Sequence, residues 1–220
     1  MCASPITFDP AGLSYSLRAH PVLAVLRPRD ADQAERQIAA VAAVGLRHIE
    51  ISWSAQAWWA PFVGSLSACW PGIRFGVAGL CHPNQIEPLV QLGIGFAMSP
   101  IGCSTMLERA NALGITLVPG VFSPTEVWRF SGDAGPGLVK LFPAAVLGPA
   151  YWRQLRNPLA DLPFCIAAGG LSPADITPWL AAGVQAVALG SSLFNENDQL
   201  RPGHANGLAT FANGQPIPTK

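Results

Sequence analysis

One lysine occupies an unusual position in this chain of 220 residues, which has eleven arginines and only two lysines, Lys140 and Lys220. Lys140 lies in Leu138-Val-Lys-Leu-Phe142, an apolar run typical of a buried strand. Burial removes water from an ammonium group and lowers its pKa, which makes the neutral amine available as a nucleophile. A structural lysine, reaching the surface or paired with a buried carboxylate, is the alternative.

Glu50 is the second ionisable residue in an apolar run, His48-Ile-Glu-Ile-Ser52. Strand alternation places His48, Glu50 and Ser52 on one face. Lys140 is a candidate partner for this carboxylate, either in a structural ion pair or in catalysis. We interpret Glu50 as a general acid/base beside an amine nucleophile, the combination that Schiff-base formation with a ketone requires. We interpret His48 as a structural imidazole of the core.

Two glycine-containing loops indicate an anion site. Gly169 and Gly170 follow the seventh predicted strand, and Gly190 and Ser191 follow the eighth. Barrel enzymes often bind a phosphate between these two loops through free backbone N–H groups. Arg27, at the end of the first strand, is a candidate cation at the same mouth, with a solvated loop arginine as the alternative. No metal-ligand spacing or nucleotide-binding glycine motif occurs, so we expect neither a metal nor a cofactor.

Eight short apolar runs alternate with helical segments along almost the whole chain. The predicted strands are Val22–Leu26, His48–Ser52, Arg74–Gly79, Phe96–Pro100, Ile115–Gly120, Leu138–Phe142, Phe164–Gly170 and Ala186–Gly190. The predicted helices are Ala31–Val44, Ala55–Ala68, Pro83–Leu92, Cys103–Leu113, Pro124–Phe130, Ala150–Asn157 and Pro173–Ala182. This pattern predicts an α/β fold, a single (β/α)₈ TIM barrel, with a doubly wound sheet as the alternative.

The two ends of the chain differ from this pattern. We assign residues 1–194 to the barrel and expect the first 20 residues to form one short helix that closes its floor. Residues 195–220 are rich in Asn, Gly and Pro, and we expect an irregular tail there.

Composition excludes several classes of protein. Charged residues make up 12% of the chain and hydrophobic residues 50%, which excludes a disordered chain. Thirteen basic side chains balance thirteen acidic ones, so we expect neither nucleic acid nor a membrane as a partner. The chain has no continuous apolar 20-mer and its N-terminus lacks the pattern of a secretion signal. Five cysteines without paired spacing favour reduced thiols, and we expect a cytoplasmic protein.

With these residues in place, the chain resembles the 2-keto-3-deoxy-6-phosphogluconate and 4-hydroxy-2-oxoglutarate aldolase family, which includes the 2-dehydro-3-deoxy-6-phosphogalactonate aldolases. The resemblance covers about residues 18–194, and the Lys140-Leu-Phe-Pro143 element is its most specific part. The phosphogalactonate branch is the most similar. The other elements that carry the resemblance are Val22–Arg27, Ile49–Ile51, Ser54–Trp58, Phe96–Pro100, Val118–Gly120, Ser123–Glu126, Gly148–Tyr151 and Gly169–Ser172.

The resemblance implies a class I aldolase that holds pyruvate as a Schiff base, uses no metal and forms a homotrimer. Its substrate would be a 2-keto-3-deoxy-6-phospho sugar acid, cleaved to pyruvate and glyceraldehyde 3-phosphate. Lys140 would be the Schiff-base lysine and Glu50 the proton shuttle. Pyruvate would be walled by Ser99, Pro100, Pro119 and Phe142, and the phosphate would be held by Gly169, Gly170, Gly190 and Ser191.

Three positions depart from the family pattern. A threonine expected near the substrate carboxylate is Gly79, an arginine after the second strand is Ser54, and a threonine before the double glycine is Ala168. These changes concern recognition of the substrate and leave the Schiff-base residues in place. The alternatives are a 4-hydroxy-2-oxoglutarate aldolase, another phosphate-binding barrel enzyme of the sugar-phosphate isomerase or thiamine-phosphate synthase type, or a catalytically silent barrel.

Overall fold

The computed structural model describes residues 10–131 and 137–212. Within them, parallel strands form one sheet in the order β5-β4-β3-β2-β1-β9-β8-β7-β6. The strands are β1 (Val22–Leu26), β2 (His48–Ser52), β3 (Arg74–Ala78), β4 (Phe96–Met98), β5 (Thr116–Val118), β6 (Gly120–Val121), β7 (Leu138–Leu141), β8 (Phe164–Ala168) and β9 (Ala186–Leu189). The two edge strands, β5 and β6, are consecutive segments of one predicted strand, so the sheet is nearly closed and the predicted barrel is confirmed.

Pro119 separates β5 from β6. Proline has no N–H to donate to a neighbouring strand, so the ladder is interrupted at this residue. Its carbonyl oxygen still accepts a hydrogen bond from the Lys140 N–H, with a nitrogen–oxygen distance of 2.9 Å. The predicted strand Ile115–Gly120 is therefore present as two short segments, and the second one carries the pairing with β7.

Helices surround the barrel; the first precedes β1, and the others follow the strands in the predicted alternation. They are α1 (Pro10–Ala19), α2 (Ala31–Ala43), α3 (Trp59–Cys69), α4 (Glu87–Gln91), α5 (Ser104–Ala112), α6 (Pro124–Ser131), α7 (Ala144–Leu147), α8 (Pro149–Leu159), α9 (Ile176–Ala181) and α10 (His204–Ala212). Single 3₁₀ turns precede α4 and α9 and follow β9. Helix α2 begins after Asp30, whose carboxylate caps it by accepting a 2.7 Å hydrogen bond from the Gln33 N–H.

The core has two parts because strand side chains alternate between the two faces of the barrel. The larger part lies between the strands and the surrounding helices, and the smaller part fills the barrel interior. Leu13 and Leu17 of α1 are fully buried in the interior part together with Leu23, Leu138 and Phe164. Because these last three residues lie at or near the beginning of their strands, α1 closes the floor of the barrel.

The C-terminal segment differs from the irregular tail that we expected, since α10 lies within it. Leu208 is fully buried, and the carbonyl oxygen of Ala212 accepts a 3.0 Å hydrogen bond from Nδ1 of His20. Few apolar residues support this helix, so its periodicity is weak in the sequence, and packing against the barrel stabilises it. Residues 213–220 of the predicted tail, with Lys220, and Cys2 lie outside the described residues. No helix of the described part is long and apolar enough to cross a membrane.

Candidate active site

Lys140 and Glu50 both face the barrel interior. Their strand neighbours Val139, Leu141, Ile49 and Ile51 all pack in the outer part of the core. Because side chains alternate along a strand, Lys140 and Glu50 point to the opposite, inner face. The alternation predicted for β2 is confirmed, and β7 shows the same alternation.

Glu50 is fully buried, and neither of its carboxylate oxygens has a hydrogen-bond partner among the described residues. Burial raises its pKa to about 7, although the nearby charges of Lys140 and Arg27 act in the opposite direction. A carboxyl group with such a pKa exists in both protonation states near neutral pH. It can therefore both release and accept a proton during one catalytic cycle.

Lys140 is also buried, with 5% of its surface exposed. Burial lowers its pKa, the charge of Glu50 opposes this change, and Arg27 lowers the pKa further. The ion pairs of the described residues do not include Lys140 with Glu50, so the two groups interact through space without a direct salt bridge. The Lys140 amine lies 5.1 Å from the centroid of the Phe142 ring. This setting favours the neutral amine.

Lys140 lies in the wall of a cavity of about 330 Å³. Seven of the predicted site residues line it, and they come from the ends of β1 and β7 and from the loops after β8 and β9. These residues are Arg27, Lys140, Phe142, Gly169, Gly170, Gly190 and Ser191. The cavity therefore joins the candidate nucleophile to both glycine-containing loops.

The loop after β8 needs its two glycines for both backbone conformation and space. Gly169 and Gly170 have φ values of 94° and 76°, in the left-handed region that favours glycine. A Cβ atom would lie 2.8 Å from the Phe142 ring at Gly169 and 2.8 Å from the Ala145 side chain at Gly170. The Ser192 hydroxyl donates a 2.6 Å hydrogen bond to the carbonyl of Leu171 and links this loop to the one after β9.

Glu50 and three predicted pyruvate-binding residues do not line the cavity. The Ser99 hydroxyl is engaged in a turn, where it accepts a 3.0 Å hydrogen bond from the Ile101 N–H. Pro100 packs closely against Gly120, since a side chain at Gly120 would collide with the Pro100 carbonyl. The Pro119 carbonyl oxygen accepts a hydrogen bond from the Lys140 N–H. In this structure these three residues support the strand ends around Lys140, and their contact with pyruvate stays a prediction.

The three positions that depart from the family pattern have different surroundings: Ser54 accepts a 3.2 Å hydrogen bond from the Gln56 N–H, and Gly79 is exposed and outside the cavity lining. Gly79 has a φ of 80°, and a Cβ there would meet no heavy atom within 4 Å. Ala168 lines the cavity directly.

Deeper in the barrel, Gly76 of β3 lies opposite Glu50 of β2 in the strand register. A side chain at Gly76 would collide with the buried Phe96 ring. Gly76 therefore makes room for the aromatic ring beside the carboxylate.

Sequence reasoning missed the contribution of α7 to the cavity. Pro143, Ala145 and Val146 line it just after Phe142. The signal was the Lys-Leu-Phe-Pro element, because the strand that carries the candidate nucleophile continues into a loop at the cavity. Among the described residues, no group of three or more His, Cys, Asp or Glu side chains is placed to hold a metal ion.

His48 lies on the same face as Glu50 but closer to the floor. It is fully buried, and its Nε2 lies 2.8 Å from the Ser16 hydroxyl of α1. Burial lowers its pKa to about 3, and the nearby charges of Arg74 and His20 act in the same direction. The imidazole is therefore neutral at ordinary pH and joins the floor helix to β2, in agreement with a structural role.

A parallel α/β barrel whose buried lysine lines a cavity with two glycine loops, and whose interior also holds a buried carboxylate, is typical of the aldolase class of lyases. The chain belongs to the KDPG and KHG aldolase family, whose model matches residues 13–207. The predicted family and aldolase activity are confirmed.

Individual relatives agree with this assignment. The chain is 28% identical to the 2-dehydro-3-deoxy-6-phosphogalactonate aldolase of Escherichia coli over 79% of this chain and 84% of that protein. It is 25% identical to the KHG/KDPG aldolase of the same organism over 89% and 91%. A solved structure described as native KDPGal is 26% identical, with a TM-score of 0.72 and coverage of 88% and 91%. A KDPG aldolase from Legionella pneumophila, 21% identical with a TM-score of 0.76, shares the fold over 94% and 97%.

Proposed function

We propose that this chain is a class I aldolase that cleaves a 2-keto-3-deoxy-6-phospho sugar acid to pyruvate and glyceraldehyde 3-phosphate. The observation that carries the proposal is Lys140, a buried amine in the wall of a cavity that extends to two glycine loops. A lysine that only stabilised the fold would reach the surface or have a carboxylate partner, but Lys140 is 5% exposed and has no partner among the described ion pairs.

In the first step the neutral amine of Lys140 attacks the C2 ketone of the substrate. The ketone oxygen takes up a proton, the amine loses one, and a carbinolamine forms. Loss of water then gives the protonated imine. Glu50 serves this step because its pKa of about 7 lets it donate and accept protons at neutral pH.

In the second step the C3–C4 bond breaks. The C4 hydroxyl gives up its proton, and C4 becomes the aldehyde carbon of glyceraldehyde 3-phosphate. The electron pair of the broken bond moves onto the imine and forms an enamine. Protonation of the enamine at C3 and hydrolysis of the resulting imine release pyruvate and regenerate Lys140. Glu50 relays protons through both stages.

We place the phosphate of the substrate at the two glycine loops, on the other side of the cavity from Lys140. Backbone N–H groups near Gly170 and Ser191 can approach an anion closely, and the Arg27 guanidinium lies against Gly190, 3.0 Å from the position of a Cβ there. The relatives named for 6-phosphogalactonate support a phosphorylated sugar acid.

A 4-hydroxy-2-oxoglutarate aldolase is the second candidate, because the family model that matches the chain is named for KHG aldolase as well as KDPG aldolase. Other phosphate-binding barrels are similar only in fold, as with a thiamine phosphate pyrophosphorylase from Pyrococcus furiosus at 14% identity and a TM-score of 0.64.

We also propose a cytoplasmic homotrimer. One supporting observation is a designed protein cage made by fusing symmetric oligomeric domains, 26% identical over 88% of this chain and 70% of the cage chain, with a TM-score of 0.72. A second is the exposure of Tyr15 (79%) and Trp128 (71%), aromatic side chains of the kind that subunit contacts bury. Light scattering of the purified protein measures the number of subunits.

The proposed reaction is tested by incubating the enzyme with a panel of 2-keto-3-deoxy acids and measuring pyruvate release. The panel holds the 6-phosphogluconate and 6-phosphogalactonate types, their unphosphorylated forms and 4-hydroxy-2-oxoglutarate. We expect the highest kcat/KM with a phosphorylated acid. No pyruvate from any member would overturn the proposal, and a preference for 4-hydroxy-2-oxoglutarate would select the second candidate.

A further inference from the structure

Gly76 of β3 and Phe96 of β4 form a close contact inside the barrel. A Cβ atom at Gly76 would lie 2.3 Å from Cε2 and 2.4 Å from Cζ of the fully buried Phe96 ring. The backbone of Gly76 does not have a positive φ, so its conformation does not require glycine. A glycine inside a strand weakens the strand and often marks the close approach of another group. The space that the Phe96 ring occupies therefore explains this glycine.

The Phe96 ring lies next to Glu50, because Gly76 is the residue opposite Glu50 in the register of β2 and β3. Neighbouring strands are about 4.8 Å apart, so residues that lie opposite each other on one face are adjacent. Phe96 belongs to the interior part of the core, on the face to which Glu50 points. The ring thus fills the volume beside Glu50 that a side chain of β3 would otherwise take.

The other side of Glu50 is apolar as well. Its register partner on β1 is Val25, a buried residue of the interior part of the core. Glu50 does not line the cavity that contains Lys140, and both of its carboxylate oxygens are buried without a hydrogen-bond partner among the described residues. Ionising a carboxyl group is costly where hydrocarbon surrounds it and no donor reaches it. The strands on both sides of β2 therefore favour the protonated form of Glu50.

Charged groups around Glu50 act in the opposite direction and from a distance. Lys140 of β7 and Arg27 after β1 favour the ionised form, but burial outweighs them and the pKa of Glu50 still rises to about 7. His48, two residues nearer the floor on β2, is neutral at ordinary pH because burial lowers its pKa to about 3. Strand β3 carries Arg74 at its first, exposed position, and β4 carries no charged residue. The apolar contacts of Glu50 therefore decide its protonation state.

We propose that Phe96 is a positioning residue for the aldol reaction, whose ring, seated over Gly76, keeps water away from Glu50 and thereby sets the pH range in which Glu50 exchanges protons. This inference rests on the proposed function, in which Glu50 relays protons during catalysis. Phe96 does not line the cavity that contains Lys140, so it acts through the carboxyl group. A small side chain in its place admits water, which solvates the ionised form and moves the titration of Glu50 to lower pH.

The test measures the titration of Glu50 in wild type and in Phe96→Ala. The infrared band of the protonated carboxyl group, assigned by its loss in Glu50→Gln, gives one midpoint, and the pH dependence of kcat gives another. We expect both midpoints to fall by about one pH unit or more in Phe96→Ala, a part of the shift that full burial of an ionisable group produces. Phe96→Leu restores an apolar side chain and should return both midpoints close to those of wild type.

The matched control is Phe164→Ala, which removes a buried ring from the same interior part of the core, but at the floor beside α1, and should move neither midpoint. Phe96→Gln is a second variant that fills more of the space than Ala and offers an amide N–H to the carboxylate, so it should also lower both midpoints.

Unchanged midpoints in the folded Phe96 variants, or an equal shift in Phe164→Ala, would overturn the role of Phe96. The infrared titration needs no substrate, so it tests Phe96 even in an enzyme that releases no pyruvate. Absence of pyruvate release by wild type would overturn the aldolase function itself, and the two failures are therefore distinguishable.

Discussion

His48 and Glu50 lie on the same strand and the same inner face, two residues apart, yet their surroundings differ. At the floor, Nε2 of His48 has a hydrogen-bond partner in Ser16 of α1, while Nδ1 has none among the described residues. Further along the strand, both Glu50 oxygens lack a partner among the described residues, and Lys140 acts on the carboxylate only through space. The first region ties its buried polar group directly to α1, and the second holds its carboxylate without any direct partner.

This difference distinguishes the structural role of His48 from the candidate catalytic role of Glu50. A buried polar group without a partner is costly, so it persists where a ligand or reaction uses it. In parallel barrels the carboxyl ends of the strands carry the active site, while the opposite end contributes stability. The position of a polar residue along its strand therefore indicates its role better than its residue type does.

The largest expected effect on catalysis follows from removing the amine of Lys140. Lys140→Arg keeps a positive charge but cannot form an imine, and Lys140→Met keeps a similar length without nitrogen. Both variants should lower kcat for aldol cleavage roughly 10⁴-fold or more, the scale seen when a covalent nucleophile is removed. The matched control is Lys220→Arg, which should retain full activity. Cleavage that persists in a folded Lys140→Met variant would refute the role of the amine.

Glu50→Gln keeps the shape of the side chain and removes its acid–base function. We expect kcat to fall about 10²–10⁴-fold, the usual contribution of general acid/base catalysis. The slope that reports a group with a pKa near 7 should also disappear from the pH–rate profile. A profile with the same slope in both proteins would assign that titration to another group.

The same substitution should increase stability, and more so at high pH. Because burial raises the pKa of Glu50 from 4.5 to about 7, the native state keeps a proton that the unfolded chain has released between these values. The wild-type free energy of unfolding therefore falls by about 3 kcal/mol through this group as pH rises across that window. Urea unfolding at about pH 5 and about pH 8 measures the difference, and an equal gain at both would contradict burial as the cause.

An intermediate effect is expected at the phosphate loop. Gly170→Ala places a Cβ in the cavity wall at a φ of 76° and should raise KM for a phosphorylated substrate about tenfold, with little change for its unphosphorylated form. Gly93→Ala is the control, since Gly93 has a φ of 69° in open space and shares the backbone strain without lining the cavity. Equal KM changes with both substrates would show that the loop is only a turn.

The smallest effect on catalysis is expected at the floor. Ser16→Ala removes the partner of the buried His48 and should lower the free energy of unfolding by about 1–3 kcal/mol. Because this hydrogen bond lies at the opposite end of the barrel from Lys140, kcat and KM should stay within about twofold of wild type. A substantially reduced kcat at full folding would show that the two regions are coupled.

Much of the fold could be predicted because local patterns and global topology agree. Eight apolar runs gave the strand positions, and period-two alternation placed Lys140 and Glu50 on the inner face. The break at Pro119 required knowledge of the partner strand, because a proline at the end of a strand is tolerated or disruptive depending on its neighbour. Helix α10 depends on packing against the barrel, which its Asn- and Gly-containing sequence does not reveal.

The candidate site could be predicted only in part, for a similar reason. Lys140, Gly169 and Gly170 could be predicted as site residues because they lie in or just after predicted strands, and the strand ends converge in a barrel. The segment after β9 is joined to α2 by hydrogen bonds from Gln33 and Gln37 to Asp198, about 160 residues away in the chain. Such contacts follow from side-chain placement in three dimensions, and no spacing in the sequence indicates them.

The central claim is that Lys140 forms an imine with pyruvate, and borohydride trapping tests it most directly. The enzyme is incubated with pyruvate and borohydride, digested, and mapped by mass spectrometry. We predict one reduced pyruvate per chain, located on the peptide that contains Lys140 and absent from the Lys140→Met variant. No adduct, or an adduct only on Lys220 or the N-terminal amine, would contradict the account.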